Sequence, residues 1–264
     1  MSRQGCSSCL PAWRRSGTAS LLCLAISLPG LAAASSVSPL EIMVEDAASP
    51  WSNADGSGYA NDVVKAAFNA AGVIVKLDVV PYARCKAMAV AGKVAGCFSM
   101  SWEPTLQGLI VFADQPIFTA HARFYHNTAR PLAVTRQEDI ASGTVIGIVN
   151  GYEYPQSLDA LRKKGVLFDA SDSETILLKK LANGRLDLAI LMLDGLKTDV
   201  ALMTEAGVNN VSFAFPSGEM ASFVGFSAHH PSGDYARSKF NEGYAQIERN
   251  GTLNSIKSNW HLKF

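Results

Sequence analysis

The sequence carries little charge and no excess of either sign. Of 264 residues, 17% are charged, and Lys+Arg and Asp+Glu both number 23. That balance leaves no basic footprint for a polyanion, so no nucleic-acid partner is expected. The apolar share of 48% is too high for a disordered chain, and no fibrous period is present. Apolar runs that would span a bilayer are also missing: the stretch 17–28 falls short of the ~20 residues required. No catalytic signature stands out. Gly225-Phe226-Ser227-Ala228-His229 is only a partial Gly-x-Ser-x-Gly, and no phosphate loop ends in Gly-Lys-Ser/Thr. Gly56-Ser57-Gly58-Tyr59-Ala60-Asn61 lacks the last glycine of a dinucleotide turn and lies too far from its strand. The pairs His121/His126 and His229/His230 lack spaced Cys or acid partners, so no metal is expected. No cofactor and no catalytic residue are called for.

The first 34 residues read as a leader. Arg3, Arg14 and Arg15 are their only charges, 17–28 is apolar or small, Pro29-Gly30 breaks a helix, and Ala32-Ala33-Ala34 suits signal peptidase. The expectation is export to the periplasm with cleavage after Ala34. Without these residues the balance becomes 20 basic to 23 acidic, a net charge of −3. Cysteine is scarce: of five, Cys6, Cys9 and Cys23 leave with the leader. Cys85 and Cys97 remain, an even number in an oxidising compartment. They form either one disulfide or two separate buried thiols.

From residue 40 the pattern alternates strand and helix. Leu40–Val44 is a short apolar run. Val63, Val64, Ala67, Phe68 and Ala71 recur at helical spacing before Gly72. Residues 73–80 read as a strand, Pro81 opens a helix that Gly92 ends, and Gly96–Met100 is the next strand. A second unit of the same kind follows. It has strands at Thr144–Val149, Val166–Phe168 and Leu186–Met192, with helices between them ended by Gly165 and Gly184. Ser171 and Glu174 are predicted to form a capping box for the later helix. Two βαβαβ units imply two mostly parallel sheets with flanking helices. Residues 110–127 and 211–228 contain the strand-like joins, and the helical tail after Ser232 must pack on an existing lobe.

Ligands of parallel α/β sheets bind beyond the carboxyl ends of the strands. That rule selects Glu45, Asp46 and Trp51 after the first strand, and Met100, Ser101 and Trp102 after the third. In the second unit it selects Asn150, Gly151, Tyr152 and Asp194. If the two lobes face each other, these loops line one cleft suited to a small polar, cation-bearing ligand.

The segments GYANDVVKAAFNAAG (58–72), VPYARCKAMAVAGKVAGCFSM (80–100), LANGRLDLAILMLDG (181–195) and FNEGYAQIERNGTLNSIKSNW (240–260) give the mature chain its resemblance. In order and spacing it resembles the family 3 extracellular solute-binding proteins of bacterial ABC importers. The resemblance implies an α/β, two-lobed type II periplasmic-binding-protein fold, with two crossing strands as hinge. The expected division is 35–122 plus 223–264 for lobe 1 and 123–222 for lobe 2. It also implies a monomer that closes over a small polar ligand, an amino acid or related compound, and docks on a membrane permease.

Carry-over to single residues is uneven. In place of the family's Thr-Pro-Glu-Arg, whose Arg pairs with the ligand carboxylate, this chain reads Ser101-Trp102-Glu103-Pro104-Thr105-Leu106-Gln107. A planar bidentate donor is not replaced by Thr105. Arg84 is the candidate substitute, against a surface ion-pairing role. Asp194 matches the family's acid for the ligand amine, against a role as a helix cap. Trp51 matches its stacking aromatic, and Trp102 would fill the space of the lost Arg. Tyr82 and Tyr152 are further candidates, with Ser99, Ser101 and Asn150 as hydrogen-bonding groups. Cys85 begins a helix and Cys97 lies in the following strand, near one edge of lobe 1, which favours the disulfide. The alternatives on this fold are a periplasmic dehydratase, using Glu45, Asp46, Glu153 or Asp194 as acid or base, and a ligand sensor.

Overall fold

The structure, a computed structural model, describes residues 39–261. The predicted leader, its cleavage point and Cys6, Cys9 and Cys23 lie outside the described residues. The chain begins with β1 (Leu40–Glu45), followed by a small ribbon of β2 (Ala47–Ala48) and β3 (Ser52–Asn53), then α1 (Tyr59–Ala70), β4 (Val75–Val80), α2 (Tyr82–Val90) and β5 (Gly96–Met100). Next come β6 (Ile110–Phe112) and the long β7 (Phe118–Asn127). The second unit holds β8 (Val145–Val149), α3 (Ser157–Lys163), β9 (Leu167–Ser171), α4 (Glu174–Ala182), β10 (Leu188–Leu193) and α5 (Asp199–Ala206). The chain then runs through β11 (Val211–Ser227) to α6 (Gly233–Arg249) and α7 (Thr252–His261).

The strands make one sheet in the order β4-β1-β5-β11-β7-β10-β8-β9, with β6 on β11. β4, β1 and β5 pair in parallel, as do β9, β8 and β10. Each parallel set is the product of βαβ crossovers, which put helices on its faces. β10 is buried along its whole length, as its unbroken apolar run requires. The two half-sheets meet through the antiparallel pair β7 and β11. β11 is 17 residues long and changes partner within its length. Val211–Ser222 lies on β7, and Phe223–Ser227 on β5 and β6.

The tail packs on the first half-sheet. Phe240 of α6 meets Phe68 of α1 with ring centroids 5.7 Å apart, both rings fully buried. Burial of such a side chain stabilises by about 1.5–3 kcal/mol. Gly243 lets α6 approach α1 so closely that any Cβ there would overlap the Ala67 carbonyl. Trp260 of α7 donates Nε1–H to Asp62 at 2.9 Å. Cys85 of α2 and Cys97 of β5 are joined as a disulfide, with a Cα separation of 5.6 Å. The two-thiol alternative is thereby set aside.

The capping-box expectation needs correction. The N-cap of α4 is Ser173, whose Oγ accepts from Ile176 N at 3.3 Å. Ser171 is the last residue of β9. Glu174 turns into the core, where Oε1 accepts from Met192 N at 2.7 Å. Two serines bracket the turn, and tertiary demand for Glu174 decided which of them caps. None of the described helices is long and apolar enough to cross a membrane.

Candidate functional site

The carboxyl ends of β1, β5, β8 and β10 converge where the half-sheets face each other. Between them lies a small cavity. Its lining has two carboxylates, Glu45 and Glu153, and three aromatic rings, Trp51, Phe118 and Tyr152. Three hydroxyls, from Ser99, Ser101 and Ser222, complete its polar surface, with Ala120 and Met192 as apolar floor.

Local structure places each group. Trp51 sits in the turn between β2 and β3, with its N–H on Ala48 O at 2.8 Å. The first turn of α1 holds this loop from the other side: Tyr59 N donates to Pro50 O and Ala60 N to Trp51 O, both at 3.0 Å. Gly58 offers α1 no side-chain cap, so the loop carbonyls satisfy those helix donors. The Trp51 ring stacks on Phe118 at 4.2 Å between centroids, and Lys197 Nζ lies 4.3 Å from its centroid. Ser99 occupies a bulge of β5 opposite the register shift between Phe223 and Val224. Its φ of +65° is in the left-handed region, unfavourable for a serine. Its Oγ is buried without a hydrogen-bond partner. Such strain, held at the end of a strand that borders a cavity, is a feature of functional sites.

Charged contacts cross from one half to the other. Tyr82 Oη donates to Glu153 at 2.7 Å, and Tyr152 Oη donates to Glu45 Oε2 at 2.7 Å. Lys86 Nζ lies 2.7 Å from Glu103 and 2.9 Å from Glu153, and it donates to Gly151 O at 3.1 Å. Ser101 N also donates to Glu153, at 3.1 Å. Trp51 Nε1–H donates to Asp194 Oδ2 at 2.9 Å. Deeper in the second half, Lys197 and Glu174 form an ion pair that is almost wholly buried.

Burial dominates the titration of the acids. It pushes Glu45 up to about 7, against the opposing pull of Lys197 and the Tyr152 hydrogen bond. It also raises Glu153, although Lys86, Tyr82 and the Ser101 N–H all favour the anion. Tyr82 and Tyr152 stay protonated far above their usual range, through burial first and then through Glu153 and Glu45 respectively. Both phenols therefore act as donors at any physiological pH.

The candidates divide into three groups. Trp51, Ser99, Ser101 and Tyr152 line the cavity, and Tyr82 supports it from behind through Glu153. Asp194 is outside the cavity lining and takes the capping role weighed for it. Its Oδ1 caps the following turn, accepting from Leu196 N at 2.8 Å and Lys197 N at 2.7 Å, while Oδ2 holds Trp51. Arg84, Trp102, Asn150 and Asp46 lie outside the lining. Arg84 is exposed on α2 and makes no ion pair among the described residues. Trp102, 51% exposed, fills no interior space, which corrects its expected role. Asn150 is exposed, and its backbone N–H is tied to Ser171 O at 2.8 Å.

Lys86, Lys197, Glu174, Phe118 and Ser222 were not anticipated. Helical spacing contained the signal for Lys86. It stands four residues after Tyr82 and shares its face, whereas Arg84, two residues after, points away. Nothing local marks Lys197 or Glu174, which meet only because α4 and the turn after β10 fold together.

No family model matches the chain, and no curated protein matches it. Solved structures do. A histidine kinase sensor domain with similarity to periplasmic binding proteins is 15% identical, with a TM-score of 0.71, covering 84% of this chain and 96% of its own. The arginine-, lysine-, histidine-binding protein of Geobacillus stearothermophilus is 16% identical, with a TM-score of 0.67 and coverages of 84% and 94%. An ancestral amino acid-binding protein, a precursor of cyclohexadienyl dehydratase, is 15% identical, with a TM-score of 0.66 and coverages of 84% and 95%. At these identities the likeness is one of fold, and it agrees with the strand order, the paired half-sheets and the cavity between them: the chain has the type II periplasmic-binding-protein fold.

Proposed function

We propose that this protein is the solute-capturing component of an ABC importer, exported to the periplasm and acting as a monomer that delivers its ligand to a membrane permease. Lobe 1 is 35–122 plus 223–264 and lobe 2 is 123–222, with β7 and β11 as the hinge. The observation that carries the reading is the cavity itself, lined from both halves and closed over by Tyr82–Glu153, Tyr152–Glu45 and Trp51–Asp194. A ligand that touches both halves stabilises the closed arrangement by its differential affinity for it. The similar structures named for amino-acid binding support capture without chemistry. Trp51 and Tyr152 supply ring faces, Ser99 and Ser101 supply hydroxyls, and Glu45 supplies charge.

The direct test is to denature the purified protein and identify small molecules released from it by mass spectrometry. A stoichiometric polar solute that also compacts the protein in X-ray scattering is the expected result. The absence of any such solute defeats the reading. A second reading rests on Glu45, a buried acid poised near neutrality, as the general acid of a dehydratase. Conversion of prephenate to phenylpyruvate by the pure protein would replace capture with catalysis; no turnover is expected.

A further inference from the structure

The cavity lining holds two carboxylates and no basic side chain. The nearest ammonium groups are already engaged. Lys86 serves Glu103 and Glu153 together, one cation against two anions. Lys197 is held by Glu174 inside the core. Tyr152 is the residue that hydrogen-bonds Glu45, a neutral donor on a side chain only 3% exposed. Ser101 and Ser222, each 5% exposed, present hydroxyls to the cavity without a side-chain hydrogen bond among the described residues. With Ser99 Oγ, also without a hydrogen-bond partner, three hydroxyls stand beside the two carboxylates.

Buried polar groups normally find partners, so this many open hydroxyls in one cavity point to polar groups brought by a ligand. Buried anions whose burial outweighs their compensation are stabilised by an incoming cation. A ligand carboxylate entering the same space would meet Glu45 and Glu153 with no guanidinium or ammonium to receive it. We propose that the site takes a small organic cation that bears N–H donors and no carboxylate, an alkylammonium or alkylguanidinium, with Glu45 as its counter-ion. Its methylenes lie against Trp51 and Tyr152, and its N–H groups donate to Glu45 and to the serine hydroxyls. The inference rests on the solute-capture reading and names the ligand class for it.

Matched pairs test it, because each differs by the carboxylate alone: cadaverine against lysine, and agmatine against arginine. Calorimetric titration of the full mature protein is expected to show the decarboxylated member of at least one pair binding about tenfold or more tightly than its amino acid. Glu45→Gln is expected to reduce that affinity by about tenfold, and Ser222→Ala by a smaller factor. The pair comparison uses the unaltered protein, so it stands even if a variant folds poorly. Tighter or equal binding of the amino acids, or failure of both amines to bind, overturns the inference. Solute capture survives that result if a carboxylate-bearing solute is released from the protein and compacts it. If nothing is released and nothing compacts it, the broader reading falls as well.

Discussion

Glu45 ends β1 inside the cleft, and burial raises it to about 7 from the 4.5 of a free glutamate. The groups facing it are Tyr152, Lys197, Glu174 and the Ser99 hydroxyl. An acid raised in the folded state keeps its proton where the unfolded chain has lost it. Stability therefore falls as pH rises from about 4.5 to about 7, and the effect is complete above that window. Glu45→Gln keeps an acceptor for Tyr152 and removes the titration. Relative to the unaltered protein, this variant is expected to gain on the order of 3 kcal/mol across that window, read from urea midpoints at a series of pH values. A parallel pair of curves would refute the assignment. At this scale the residues were partly legible. Trp51, Ser99, Ser101 and Tyr152 follow from the rule that strand ends build the site. Arg84 was selected in place of Lys86, although helix periodicity puts Lys86 and not Arg84 on the face of Tyr82. Asp194 joins Trp51 across the halves, a contact between residues 143 apart in sequence that no local pattern contains.

The elements were the most legible level. Each predicted strand and helix is present, because period-two and period-3.6 patterns are local properties of the chain. What the patterns lacked was spacing between elements. Gly243 reads as a flaw in the helix of α6, yet it is where α6 touches α1. Gly243→Ala is expected to cost about 1–3 kcal/mol by overpacking against the Ala67 carbonyl, seen as a lower urea midpoint. A midpoint equal to or above that of the unaltered protein would show that the contact is slack. The Cys85–Cys97 link closes a loop of sequence separation 12 between α2 and β5. Reduction is expected to destabilise the fold by about 3 kcal/mol, or roughly 6–12 °C in Tm. Intact mass with and without reductant counts the thiols, and free thiols in protein folded under oxidising conditions would remove the bond from the account.

At the scale of the whole molecule the question is closure. Gly151 has φ +84°, and a Cβ on it would stand 2.9 Å from Ala83 Cα, across the meeting point of the halves. Both the dihedral and the contact resist a side chain. Gly151→Val is expected to hold the halves apart. The radius of gyration in X-ray scattering should rise, and ligand affinity should fall about tenfold or more, with little change in the secondary-structure signal. An unchanged radius with unchanged affinity would mean that this contact does not belong to closure. The same contact links the levels: a left-handed glycine after β8 allows Lys86 to reach Gly151 O and places Glu153 beside Tyr82.

The amino-acid order by itself determined the two βαβαβ units, the crossing strands, the returning tail and the loops that carry the site. These depend on interactions within a few residues, and on a rule about strand ends that any parallel sheet obeys. Only the tertiary structure decided which side chains on those loops face inward, that Ser173 and not Ser171 caps α4, and that Lys197 is buried against Glu174. It also decided that the cavity is walled by carboxylates with no basic side chain. Burial sets the cost of a charge, and burial at this cavity is contributed by two halves of the sheet that are remote in sequence.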